Sequence, residues 1–322
     1  MARVLYIGGT GEISTACIST SLEKGDEVSV LNRGSSTTVP DTVEQFLGDV
    51  RQADCYASLT DQRFDVVCQF IGFSPSDIER DVAFFKDRCE QYIFISSASV
   101  YEKPPTDKVT RETTPLSNPY WKYAQLKIAC ENALRESCEK HNLPYTIVRP
   151  SHTYRTRLPG AVIHGDHQTW RMLNGKPVIV HGDGQSLWTL THASDFAAAF
   201  VQLCANTHAY NQDFHITESD GHTWEKLLAT AGDIIGVEST IVPIPIDTLL
   251  QHRPEWRGPL LGDKANSMVF DNTKLQRVVP GWTCRVSLAD GLERAWQKTK
   301  TRMAQYQPDP HEDALVDLIV SA

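Results

Sequence analysis

The chain has 322 residues, 41% of them hydrophobic, enough for one large domain or a large and a small one around a substantial core. Its formal net charge of -9, with Asp and Glu spread throughout, argues against a nucleic-acid surface, which needs clustered Lys and Arg. No apolar run reaches the roughly 18 residues of a membrane span. The eight cysteines include no C-x-x-C pair, and Met1–Leu5 enters a strand pattern at once, without a signal peptide. The expectation is a cytoplasmic protein with reduced thiols and no metal.

Arg3–Ile7 reads as a first strand that ends in glycines, and Glu12–Lys24 as a helix that stops at Gly25. Strands are expected at Glu27–Leu31, Val43–Leu47, Phe64–Phe70 and Tyr92–Ile95, with helices near Asp54–Thr60 and Ser76–Cys89 between them. A long helix is expected from about Tyr120 to His141, then a strand at Tyr145–Val148. Short apolar strands alternating with helices predict an α/β fold, a Rossmann-type doubly wound parallel sheet covered on both faces. After Pro150 the pattern loosens. Helices are expected near Ala161–Asn174, His192–Ala205, Thr223–Ile235 and Ser287–Met303, and strands at Val178–Val180, Phe214–Ile216 and Thr240–Ile244. Arg253–Ser267, rich in Gly and Pro, is expected to wrap the surface, and Glu312–Val320 to form a last short helix. The domain expectation is residues 1–160 as the dinucleotide-binding unit, with 185–215 returning to it. Residues 161–184 and 216–322 form a smaller C-terminal α/β substrate-binding region.

Gly8-Gly9-Thr10-Gly11-Glu12-Ile13 lies between the first strand and the first helix. Glycines there allow a tight turn and let a pyrophosphate approach a helix N-terminus, where free N–H groups and the helix dipole favour an anion. The third glycine of that pattern is replaced by Ser14. Past the second strand an NAD enzyme typically places an acid on the ribose 2′-hydroxyl. This chain has Asn32-Arg33-Gly34-Ser35-Ser36, where Arg33 and the hydroxyls suit a 2′-phosphate. NADP is therefore the expected cofactor, with NAD as the alternative. Asp49 and Val50 are candidates for the adenine edge, Asp49 being equally readable as a turn cap. Phe70 and Ile71, at the end of the fourth strand, border the same crevice.

Tyr123 and Lys127 stand four residues apart on one helix face. A free tyrosine has a pKa of about 10. A neighbouring ammonium is expected to lower it, so that Tyr123 exchanges a proton with a hydroxyl or carbonyl oxygen, while Lys127 also holds the nicotinamide ribose. Ser96-Ser97-Ala98-Ser99 ends the strand upstream, where doubly wound folds bind ligands. Together with Val148-Arg149-Pro150, Gly182-Asp183-Gly184 and His192-Ala193-Ser194-Asp195, these motifs resemble the extended short-chain dehydrogenase/reductases of the NAD-dependent epimerase/dehydratase type, over about residues 3–300. The resemblance implies a catalytic triad of Ser97, Tyr123 and Lys127. Tyr120 is excluded from it, because Ala124 rather than a lysine lies four residues on.

The departures narrow the chemistry. The acidic pair that follows the catalytic Ser/Thr in sugar-nucleotide dehydratases is Ala98-Ser99 here. The arginine that grips a substrate diphosphate is Trp188, and a second one, before a Gly-Asp step, falls at Leu260-Leu261. Neither residue replaces a bidentate guanidinium. Arg155, Arg157 and Lys176 remain as other sources of charge. His152, Tyr154 and Arg155 are expected to face the cleft, as are Ser99 and Trp188, and Phe73 is expected beside the nicotinamide or in the core. His164-Gly165-Asp166-His167 has loop-like spacing and no third metal ligand.

Three functions fit: a reductase or dehydrogenase of a sugar-like or small carbonyl substrate, a sugar-nucleotide epimerase with retained NAD, or a non-catalytic NADP- or RNA-binding protein. A chloroplast branch of the superfamily that binds RNA resembles the chain at Asn32-Arg33-Gly34. The acidic balance and the intact Ser97, Tyr123 and Lys127 weigh against the third. The expected partners are a small-molecule substrate and a second copy in a homodimer, with no nucleic acid and no membrane.

Overall fold

A computed structural model describes residues 1–34 and 39–321. Ser35 and Ser36 lie outside the described residues. The strands, in chain order, begin with β1 (Arg3–Ile7), β2 (Glu27–Asn32), β3 (Glu44–Leu47), β4 (Phe64–Gln69), β5 (Cys89–Ile95) and β6 (Tyr145–Pro150). Next come β7 (His152–Tyr154), β8 (Val178–His181), β9 (Leu187–Trp188), β10 (Leu190–His192), β11 (Gln212–Ile216), β12 (His222–Thr223) and β13 (Ile241–Ile244). Seven of them form one parallel sheet in the order β11-β6-β5-β4-β1-β2-β3. The strand order reverses at β1 and β4, which opens a crevice beyond their C-terminal ends.

Period-two alternation explains why the strands are apolar throughout. Val4 and Tyr6 point to one face, into a cluster with Val30, Phe196 and Phe200. Leu5 and Ile7 point to the other, against Ile78, Phe85, Cys130 and Leu134. Helices α1 (Glu12–Lys24), α2 (Pro75–Phe85), α3 (Lys122–His141), α4 (Gly165–Leu173) and α5 (Ala193–Leu203) follow. α1 and α5 cover the first face, α2 and α3 the second. The helix expected at Asp54–Thr60 is only a 3-10 turn, Ala57–Leu59. Cys55 and Tyr56, just before it, are buried together with Leu59, yet the regular turn is only three residues long.

Beyond the sheet, α6 (Trp224–Ile235), α7 (Ile246–His252), α8 (Arg257–Pro259), α9 (Thr273–Val278), α10 (Leu288–Met303) and α11 (Pro310–Ser321) complete the chain. β8 and β13 pair in parallel, and β9 pairs with β12. Helix α11 is clamped by charge. Fully buried Arg171 bonds Asp313 and Asp317, Lys176 bonds both, and His167 meets Asp313 at 3.1 Å. Lys176 therefore supplies no charge to the cleft. Arg253–Ser267 does more than wrap the surface: it carries α8 and a π-turn, Leu260–Lys264, that forms a wall of the site described below. Among the described residues no helix is long and apolar enough to cross a membrane.

A buried ion pair locks α3 to the sheet. Arg149 on β6 donates to Glu131 at 2.9 and 2.7 Å and meets Asp213 at 2.7 Å, with side chains at most 1% exposed for Arg149 and Glu131. Removing one partner of such a pair strands a charge in the interior. Arg149→Met is expected to destabilise the fold by about 3–5 kcal/mol in urea unfolding; a loss under about 1 kcal/mol would contradict this role.

Candidate active site

The glycine turn closes on itself through the residue that departs from the usual pattern. Ser14 Oγ donates to Gly8 O at 2.8 Å and accepts from Gly11 N at 2.9 Å. Gly8 has φ +87°, and a Cβ there would meet Ile71 at 2.6 Å, so the position takes only glycine. Beyond the turn lies a groove of about 540 Å³, lined by Gly8, Thr10, Gly11, Asn32, Arg33, Asp49, Val50, Ile71 and Phe73. Its volume falls within the range of cofactor clefts, roughly 300–1,000 Å³. The helix N-terminus at its floor and the arginines at its outer end fit a dinucleotide.

Several expected cofactor residues lie outside this groove, among them Pro150, which lines the neighbouring cavity, and Lys127, described below. The Glu12 carboxylate turns away and accepts from Thr156 N at 2.8 Å and from the Thr156 hydroxyl. Ile13 and Phe70 pack on the core, Phe70 against Tyr6 and Phe200 at 5.9 and 5.6 Å. Arg51 was missed by the sequence reading and lines the groove beside Asp49, donating to it at 2.5 Å. Its signal was available: a second arginine two residues past the aspartate. This pairing holds the Asp49 carboxyl down at about 2.

Tyr123 and Lys127 occupy the first turns of α3. Lys127 is 2% exposed and donates to Gly72 O and Ile95 O, both at 2.9 Å. Its Nζ stands 5.9 Å from the Tyr123 ring centre and 4.7 Å from those of Phe73 and Phe94. The expected lowering of Tyr123 by Lys127 is corrected here. Burial pushes the phenol up, a hydrogen bond with Ser97 pulls it down, and Asp263 raises it. Burial likewise pushes Lys127 down to about 8.

Tyr123, Ser97 and Ser99 line a cavity of about 230 Å³ with Trp121, Pro150, His152, Trp188, Asp263 and Phe270. Ser97 Oγ pairs with Ser99 Oγ at 2.9 Å. Phe73, 49% exposed, lines the groove and packs on Tyr123 at 6.5 Å, so groove and cavity meet at this ring pair. Trp188 is a wall, 2% exposed, packed in tilted contact with Trp224 at 4.3 Å and His152 at 4.6 Å. A second cavity of about 240 Å³ adjoins at His152 and includes Tyr154, Arg157 and Lys264. Arg155 donates to Glu12 O at 3.2 Å, and Arg157 to Asp166 at 3.2 Å. His164 caps α4 through its ring nitrogen.

Lys264 and Asn118 were not legible as site residues, and Asp263 was read only as part of the Gly-Asp step after Leu260-Leu261. Asn118 Nδ2 donates to Ser99 O at 2.7 Å and Gly262 O at 2.8 Å, tying the Ser97 turn to the π-turn. Lys264 Nζ donates to Gly160 O at 2.7 Å and sits over Trp188 and Trp224 at 5.7 and 5.4 Å.

The profile of the NAD dependent epimerase/dehydratase family matches residues 4–216. The chain is 23% identical over 87% of its length to a 2'-dehydrokanamycin reductase of Streptomyces kanamyceticus, covering 80% of that protein. It is 22% identical to a UDP-glucose 4-epimerase of Lactobacillus helveticus, over 95% of this chain and 99% of that one. The solved UDP-glucose 4-epimerase of Thermus thermophilus, in complex with NAD, superposes with TM-score 0.75 at 21% identity, over 92% of this chain and 99% of that one.

Burial, then the Lys264 charge, drives the His152 ring down to about 3. A base so depressed takes its proton only well below pH 5, so it stays neutral across pH 5–8. The His152 imidazole shifts in an NMR titration are expected to be flat over that window, and a midpoint near 6.5 would refute the buried geometry.

Proposed function

Because the chain belongs to the NAD-dependent epimerase/dehydratase family and is an NAD(P)-dependent enzyme of the extended short-chain dehydrogenase/reductase type, we propose that it reduces a ketone on a small, sugar-like ring with NADPH. The observation that carries this reading is the Tyr123–Ser97 pair at the junction of the groove and a cavity of about 230 Å³. The nicotinamide supplies or accepts hydride at that junction when bound. Ser97 holds the substrate oxygen, and Tyr123 gives it the phenolic proton. Burial that raises the phenol keeps that proton in place, which suits an acid acting on a carbonyl. Lys127 lies behind, fixing both loops and holding the nicotinamide ribose.

Gly8, Thr10 and Gly11 take the pyrophosphate, and Asn32 and Asp49 the adenosine end. Arg33 and Arg51 supply two guanidinium groups for a 2′-phosphate in the same groove. Residues 161–184 and 216–322 form the substrate-binding region. The family likeness to UDP-glucose 4-epimerases keeps one second reading, epimerisation with retained NAD. Trp188 and Leu261 favour the reductase, since neither side chain grips a diphosphate.

Tyr123→Phe is expected to cut NADPH-dependent ketone reduction at least about 100-fold while leaving NADPH affinity within about twofold; retained turnover refutes its role. Arg33→Ala and Arg51→Ala are expected to weaken NADPH binding, followed by fluorescence, by about tenfold each, with NADH unaffected. Tightly held NAD released from denatured protein would instead establish the epimerase.

A further inference from the structure

Asp263 sits on the π-turn Leu260–Lys264 and lines the same cavity as Ser97 and Tyr123. π-turns recur where a chain presents a functional group, and this one is fastened from several sides. Lys264 O accepts from Ser186 at 2.9 Å and Trp224 Nε1 at 3.2 Å, and meets His181 Nε2 at 3.0 Å. Leu261 O accepts from Asn266 at 2.8 Å, and Gly262 O from Asn118. A Cβ on Gly262 would meet Trp121 at 2.7 Å, so the turn is pressed directly onto the cavity wall.

The side chain accepts a hydrogen bond from Trp188, and the charges of Lys103 and Lys264 act on it from nearby. Among the described residues it forms no ion pair. The nearby lysines are engaged elsewhere: Lys264 on Gly160 O, and Lys103 on Tyr101 O at 3.2 Å and Met268 Sδ at 3.4 Å. Among the described lining residues, Asp263 is the only Asp, Glu, Lys or Arg. A carboxylate accepts hydrogen bonds and repels anions. The remaining wall, Trp121, Trp188 and Phe270, is aromatic, and this cavity of about 230 Å³ adjoins the second one at His152.

We infer that Asp263 is the specificity residue of the site: its carboxylate holds a hydroxyl or ammonium group on the ring reduced at Tyr123, so the cavity selects single rings bearing such donors and rejects anionic ones. This rests on the reading of Tyr123 and Ser97 as the proton-transfer pair, but binding can be read without turnover.

Saturation-transfer NMR on NADP⁺-loaded protein measures affinity for methyl α-D-glucopyranoside, its 2-amino analogue and UDP-glucose. Both neutral and amino sugars are expected to bind, and UDP-glucose no more tightly than the glucoside. Asp263→Leu is expected to weaken both sugars by about tenfold or more, since a hydrogen bond to a charged group is lost. Asp263→Asn, which keeps an acceptor oxygen but not the charge, is expected to weaken the amino sugar more than the glucoside, and its near-identical shape guards against misfolding. NADPH affinity, read in the separate groove, is expected to be unchanged in both variants. Unaltered sugar affinities in Asp263→Leu, no binding by either sugar, or tighter binding of UDP-glucose would each overturn the inference. Sugar binding that depends on Asp263 in a protein that reduces no ketone with NADPH would instead sink the reductase reading alone.

Discussion

The Lys127 ammonium is the point on which the site hangs. It reaches from α3 to Gly72 O, just beyond β4, and to Ile95 O, the last carbonyl of β5. The first of those carbonyls leads directly into Phe73, and the second, through Ser96, into Ser97. One cation therefore fixes the helix that carries Tyr123, the loop that carries its serine partner and the aromatic ring that separates groove from cavity. Tyr123 lies one turn earlier on the same helix, so its place follows from that of Lys127.

Holding a charge there is costly, because the group leaves water almost completely. The site meets that cost with full-strength carbonyl acceptors and with the faces of Phe73 and Phe94. The balance still tilts against the charged form, as the downward shift to about 8 shows. The same burial acts with the opposite sign on the tyrosine. An acid that loses solvent holds its proton, and a base that loses solvent gives it up. The two halves of the Tyr-Lys pair are thus driven together towards their neutral forms, leaving Ser97 as the hydroxyl partner of the phenol.

What the sequence made legible was what local pattern specifies. The glycine turn, the alternating strands and Tyr123 to Lys127 depend on spacings of a few residues, and they stand where those spacings place them. The failures share another cause. Glu12 follows the glycines but turns to Thr156, a partner 144 residues away. Asp263 belongs to a Gly- and Pro-rich stretch with no periodicity, and it reaches the cavity only because Asn118 and three donors to Lys264 O pull its turn inward. Lys176 carried the right charge, but α11 supplied two carboxylates for it. Long-range pairing of polar groups decides such positions, and no short window of sequence encodes it.

Trp188 shows what that pairing does to chemistry. An arginine at its place would bring a fixed charge and a planar fork to the cavity. The indole instead brings a flat apolar face and a single N–H, and that N–H is directed at Asp263. Lys264 adds a cation behind the rings, pushed down to about 8 by burial, bonded to a carbonyl and near enough for its charge to act on Asp263. The polarity of the wall is thereby inverted: a donor fork for anions gives way to an acceptor framed by aromatic rings. Aromatic faces suit the C–H faces of a sugar ring, and a carboxylate suits its hydroxyl or amino edge. The groove at the glycine turn is unaffected by this exchange, because the turns that follow β1 and β4 line it, whereas Trp188 lines the cavity on the other side of the Phe73–Tyr123 ring pair.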